Sequence, residues 1–304
     1  MRLRSVIQGA LLLGFTASST LLAQTPPPRI TGREGLVNQK TPEVTRADRP
    51  VSAETAPQPV GYESDVYCFG YVGDLNESFP STVTGAENLA EQTDFITGDL
   101  LYIAGGHDAG FKAGQQFWLV TPEQEVVHPV TGKSLGRLYQ YRGRAEIKTV
   151  EERSSIVRVT HACTDVLLGS FLKPFEPIPV PLARKTPPQT AGDPPSGKAT
   201  GRIVFTKDGL VALGLGQMVI VDLGAANNLQ PGDFLTIYRI AYGREYGIRP
   251  VGAYWYNLPP PPGLYIPRTY LGEAAVLVVG DRWAIVRLTD AYRLIEVGDE
   301  VEIK

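Results

Sequence analysis

Histidine is scarce, with three in 304 residues, and no two stand at the His-x-x-x-His spacing with which a helix face holds a metal ion. Cysteine is scarcer, with two residues. The sequence has no Gly-x-Ser-x-Gly nucleophile elbow and no Walker phosphate loop. No long run of Lys and Arg occurs and the formal net charge is −3, which excludes nucleic acid as the expected partner, because phosphate binding needs clustered cations. Sustained helical periodicity is missing. Beyond the N-terminus, no stretch is long and apolar enough to cross a bilayer as a helix. Together these absences point to a protein that is not an enzyme and carries no cofactor and no metal.

Glycine (32) and proline (25) are plentiful, which predicts many turns and some extended segments rather than long helices. Hydrophobic residues make up 43% and charged residues 20%, so most of the chain can bury a core. Arg2 and Arg4 precede a short apolar stretch, and Leu21-Leu22-Ala23 ends on a small residue before Gln24, the order of a secretory signal peptide over 1–23. Gln8, Thr16, Ser18, Ser19 and Thr20 interrupt the stretch, which argues against a membrane anchor. Export implies a periplasmic or extracellular location with no transmembrane segment after cleavage. In an oxidising compartment Cys68 and Cys163 are a candidate disulfide, two independent buried thiols being the alternative.

Two segments read as proline-rich spacers. Residues 24–61 are polar, lack apolar periodicity and read as a disordered or extended spacer. Residues 174–197 carry eight prolines and read as an extended linker, either holding two modules apart or letting one pack beside the other. The folded modules are then 62–173 and 198–304.

These modules are copies of one unit. Residues 98–106 align without gaps to 216–224, and 111–119 to 229–237, at an offset of 118. A second block aligns 141–145 to 270–274, 156–160 to 285–289 and 166–169 to 295–298, at an offset of 129. The difference places 11 extra residues in the second copy, between about Gly243 and Tyr270. Each copy reads as short strands with turn glycines. Leu229-Gln230-Pro231-Gly232 suits a type II turn, and Gly280-Asp281-Arg282 a short hairpin. The expected fold is all-β, two duplicated small barrel-like modules, closure removing open strand edges.

The strand and turn residues Val219 to Gly224, Leu229 to Tyr238 (with Pro231-Gly232-Asp233 at the turn), Leu271 to Val276 and Val297-Gly298-Asp299-Glu300-Val301 carry a resemblance. The second copy resembles the C-terminal domain of flagellar assembly protein T, and is similar to β modules that follow LysM repeats in bacterial envelope proteins. The first copy keeps the skeleton more loosely and has its own turn at His128-Pro129-Val130-Thr131-Gly132. The resemblance implies an envelope module that mediates contacts. No LysM-like repeat is recognisable, so peptidoglycan binding is not carried over with it.

Candidate chemistry is thin. His107, in Gly105-Gly106-His107-Asp108, falls in a turn where the second copy has Ala225, which favours a solvated turn over a catalytic corner. His161 and Cys163, two apart on a strand, share a face and could form a nucleophile pair, but a disulfide at Cys163 argues against it. Glu123 and Glu125 suit exposed loop charge better than a glycosidase pair. Leu213-Gly214-Leu215-Gly216 leads into a strand, so it lacks the helix N-terminus that dinucleotide phosphates use. The best binding candidates are the aromatics of the insertion, Tyr254, Trp255, Tyr256 and Tyr265, around Pro259 to Pro262. They suit either a protein partner or a cap folded back on the barrel. The expectation is an exported non-catalytic envelope protein that contacts another envelope protein. The alternative is a protein that binds peptidoglycan or other carbohydrate through this insertion.

Overall fold

The computed structural model describes residues 57–304, apart from 89, 91, 185, 187–191, 208 and 241–267. Thr55–Lys304 form one compact unit. The first copy contributes β1 (Tyr71–Gly73), β2 (Ser81–Ala86), β3 (Asp94–Phe95), β4 (Leu100–Ala104), β5 (Gln116–Val127), β6 (Ser134–Val150), β7 (Ser154–Ala162), β8 (Val166–Leu167) and β9 (Phe171–Pro174). The second contributes β10 (Thr200–Thr206), β11 (Met218–Val221), β12 (Phe234–Arg239), β13 (Thr269–Val279), β14 (Ala284–Ala291) and β15 (Glu300–Ile303). The one α-helix among the described residues is α1 (Glu63–Tyr67).

Both copies close into six-stranded barrels with the same connectivity. Barrel 1 runs β2-β4-β7-β6-β5-β9 and returns to β2. Barrel 2 runs β10-β11-β14-β13-β12-β15 and returns to β10. Individual hydrogen bonds repeat at the offsets read from sequence. Gly114 N donates to Ile147 O (2.8 Å) as Gly232 N does to Val276 O (2.9 Å). Gly98 N donates to Val159 O as Gly216 N does to Leu288 O, both at 2.8 Å. Even the short β3–β8 pair has its counterpart, the isolated Leu213–Ile295 bridge.

The repeat glycines are explained locally. Asp233 N donates to Gln230 O (3.1 Å) and Gly232 has φ +89°, the type II turn predicted after Pro231. Gly143 and Gly272 sit where strands cross closely. A Cβ there would stand 2.3 Å from His161 O in barrel 1 and 2.1 Å from Asp290 O in barrel 2.

Strand alternation fills both interiors. Leu101, Ile103, Phe117, Leu119, Ile147 and Val157 point into barrel 1. Ile203, Val219, Val221, Leu235, Val276 and Val286 point into barrel 2. The opposite faces of several strands are also buried. Trp118, Val120 and Tyr141 lie outside barrel 1 under Tyr67, Tyr71, Phe79 and Phe175, with Trp118 stacked on Tyr141 at 4.4 Å. Burial first, then the hydrogen bond from its hydroxyl to Glu77 (2.9 Å), pushes the Tyr71 phenol well above its usual range.

The two barrels are packed against each other. In barrel 1, β5 and β6 continue past the barrel as a hairpin arm turning at His128, where His128 N donates to Lys133 O (2.9 Å). Val126 and Leu138 of the arm share a buried cluster with Val204, Ile220 and Ile285 on the outer face of barrel 2. At the arm tip His128 Nε2 lies 3.1 Å from Asp222 Oδ2. Its Nδ1 accepts from Val130 N and Thr131 N, so Nε2 carries the proton and donates.

A strap formed by residues 57–70 spans both barrels. Val60 packs with Ala275 and Leu277 of barrel 2, Asp65 pairs with Arg287 (3.3 Å), and Phe69 joins the inter-barrel cluster. Val60 N also donates to Pro181 O (3.0 Å), and Ala183 N to Gln58 O (2.7 Å). Of the two arrangements open to a proline-rich segment, packing side by side is the one adopted. The strap is tied to barrel 1 by a disulfide between Cys68 and Cys163.

Candidate interaction surface

Among the described residues, buried apolar side chains occupy both barrel interiors, which turns attention to the faces and ends. Antiparallel connectivity fixes which loops meet. The chain leaves β10, β12 and β14 at one end of barrel 2, so residues 207, 209–217, 240, 268 and 292–299 gather there. The described residues of this end are rich in exposed apolar side chains. Val211 is 77% exposed, Leu215 70%, Tyr292 67% and Leu294 53%, with Leu210 and Ile240 partly exposed as well. Isolated exposed apolar residues need no explanation, but six from three loops at one end form a patch of the type used for contacts.

The loops around Leu213 and Ile295 are tied down by hydrogen bonds. Leu213 and Ile295 bridge across the barrel mouth with both side chains buried, while Leu294, next to Ile295 along the chain, and Leu215, in the turn before β11, are exposed. Gly214 N donates to Gln217 Oε1 (2.7 Å), and Gly216 takes φ +83° to enter β11. Beneath Leu294 the buried Arg239 guanidinium meets both oxygens of Asp299 (2.7 Å each), Glu296 Oε2 (3.1 Å) and Leu294 O (3.3 Å). Asp299 Oδ2 also accepts from Glu296 N (2.8 Å). A planar guanidinium bound at this many points leaves the 292–299 loop little freedom. Beside it Tyr270 and Tyr292 rings lie 5.4 Å apart. Burial, then the adjacent Glu273 carboxylate, raises the Tyr270 phenol above its ordinary range, so it stays a neutral hydrogen-bond donor. Among the described residues of the corresponding loops after β2 and β7, barrel 1 exposes Ile96 and Leu168 as its large apolar side chains.

The aromatics singled out from sequence, Tyr254, Trp255, Tyr256 and Tyr265, lie outside the described residues. The residues that bracket their segment, Ile240 and Arg268, both belong to this apolar end. Cys68 and Cys163 are brought together as a disulfide, so Cys163 is no free nucleophile. His161 sits beside them, its Nε2 3.9 Å from Cys68 Sγ. His107 lies at the far end of barrel 1 in a 3-10 turn, lining an open recess of about 570 Å³ with Phe111, Lys112, Lys148 and Thr149. No carboxylate is among the described residues that line it. His128 is the arm-tip contact, 3.1 Å from Asp222. Glu123 is bound by Arg142 (3.2 Å), and Glu125 stands opposite Arg137 across the β5–β6 pair. The Leu213-Gly214-Leu215-Gly216 loop does enter a strand, β11.

Sequence reasoning treated that loop only as a failed phosphate motif. Its signal was the apolar content, since a solvated loop reading Leu210-Val211-Ala212-Leu213-Gly214-Leu215 is unusual without a covering surface. No protein-family model matches this chain, and no curated protein matches it.

Proposed function

We propose that this chain is an exported, non-catalytic cell-envelope protein that makes protein–protein contacts through the apolar end of barrel 2. The observation that carries the reading is the exposed set Val211, Leu215, Leu294 and Tyr292 on loops tied down by hydrogen bonds. Loops held in this way lose little entropy on binding, and a dry apolar patch supplies the driving force. The Cys68–Cys163 disulfide supports export, since such bonds persist in oxidising compartments. None of the described helices is long and apolar enough to cross a membrane, which agrees with no helical anchor after cleavage. Resemblance of the second copy to the C-terminal domain of flagellar assembly protein T supports a contact role in the envelope.

A second reading, glycan binding, is favoured by the exposed Tyr292 ring beside Tyr270, since paired aromatic rings can stack on sugars. A photo-crosslinking amino acid at Leu215, activated in cells, separates the two. The contact reading expects one envelope protein crosslinked in good yield, and a reporter at Lys112 at the far end of barrel 1 should not capture it. Absence of any protein adduct, with the chain retained on purified cell wall, would replace it with the glycan reading.

A further inference from the structure

Three potential metal-binding side chains converge where the strap meets barrel 1. His161 and Cys163 project from the end of β7 and just beyond it, two residues apart and so on one side of the strand. Cys68 reaches them from the strap. The two sulfurs and a ring nitrogen of His161 all lie within 4.8 Å of one another. Tetrahedral zinc with bonds of about 2.0–2.3 Å needs ligand atoms roughly 3.5–3.8 Å apart, and His161 Nε2 already stands 3.9 Å from Cys68 Sγ. The His161 ring makes no other hydrogen bond among the described residues, and all three residues are partly exposed, which gives an ion a path in.

Bonded sulfurs are too close to serve as two ligands of one ion and carry no thiolate charge. Reduction supplies both missing features. We propose that the reduced Cys68–Cys163 pair, with His161, is a redox-gated zinc site. A dithiol passes two electrons and two protons to the bond, yielding two cysteine thiols and becoming a disulfide itself. Zinc(II) then displaces both thiol protons and binds two thiolates and the imidazole, leaving a fourth position for water. Thiolate and imidazole are the donor classes that suit zinc, and their combined charge of −2 offsets the ion's. In this state the ion replaces the disulfide as the tie between strap and barrel 1.

The test is thermal unfolding of the full mature chain, oxidised or reduced with a phosphine, with and without zinc chloride. Zinc should raise the melting temperature of the reduced protein and leave the oxidised protein unchanged. Cobalt(II) in place of zinc should give a thiolate-to-metal charge-transfer band in the reduced form alone. His161→Ala removes a ring outside both barrel cores. It should leave the zinc-free reduced melting temperature in place and lose most of the zinc-dependent rise. If zinc does not move the reduced wild type, or moves His161→Ala equally, the site is refuted. A reduced chain that unfolds and is not restored by zinc refutes it as well.

Discussion

Replacing both Cys68 and Cys163 by serine removes a crosslink whose partners are 95 residues apart. On the chain-entropy account, closing a loop of that length lowers the unfolded-state entropy by roughly 16 cal/mol/K, a stabilisation of about 4.7 kcal/mol at 25 °C. The native state should change little, because Val60, Val66 and Phe69 hold the strap by burial on either side of Cys68. The loss therefore falls mainly on the equilibrium with the unfolded chain. For a unit of this size each kcal/mol moves the midpoint by about 2–4 °C, so the double serine variant should melt roughly 10–19 °C lower. Calorimetry with a parallel urea titration measures both quantities. The transition should remain single, because the inter-barrel cluster of Phe69, Val126, Leu138, Ile220 and Ile285 couples the two barrels. A loss under about 1 kcal/mol would refute the loop-entropy reasoning. Two separated transitions would refute the coupling.

Other substitutions probe separate links in the account. Gly272→Ala places a Cβ 2.1 Å from Asp290 O and should cost about 1–3 kcal/mol in urea unfolding, whereas Gly214→Ala, with nothing within 4 Å, should be neutral. Ile285→Ala empties a fully buried position between the barrels and should cost about 2–5 kcal/mol. It should do so without splitting the melting curve. A double-mutant cycle of His128→Ala and Asp222→Ala should show coupling of about 0.5–3 kcal/mol across the arm-tip contact, and zero coupling would remove that contact from the account.

The duplication was legible in sequence, because turn glycines and their apolar neighbours are local and repeat at fixed spacing, and the structure extends the same offsets to individual hydrogen bonds. Gly143 and Gly272 stood out as aligned residues before the carbonyl each avoids was known. The docking of the barrels was not legible, since it joins Val126 and Leu138 to Ile220 and Ile285, elements far apart in the chain. A trace of it was present. Met218–Val221 and the later part of β13 are nearly continuous apolar runs, and a strand exposed on one face would alternate. The hairpin arm was hidden because the alignment lapses between its two blocks, where the second copy carries 11 extra residues. The apolar end of barrel 2 was missed for another reason. Leu213-Gly214-Leu215-Gly216 reads locally as a glycine-rich loop to be set against dinucleotide binding, Leu210 and Val211 have no motif of their own, and only the topology shows that Tyr292 and Leu294 join them.

The claim that this end is the contact surface is tested most directly by comparing two paired variants in the cell. Val211→Asp with Leu215→Asp charges the end of barrel 2, and Ile96→Asp with Leu168→Asp charges the matching end of barrel 1. All four side chains are at least 40% exposed, so both proteins should fold with unchanged stability. Chemical crosslinking followed by mass spectrometry should then lose the envelope partner with the barrel 2 pair and keep it with the barrel 1 pair. Equal recovery of the partner from both variants would contradict the account.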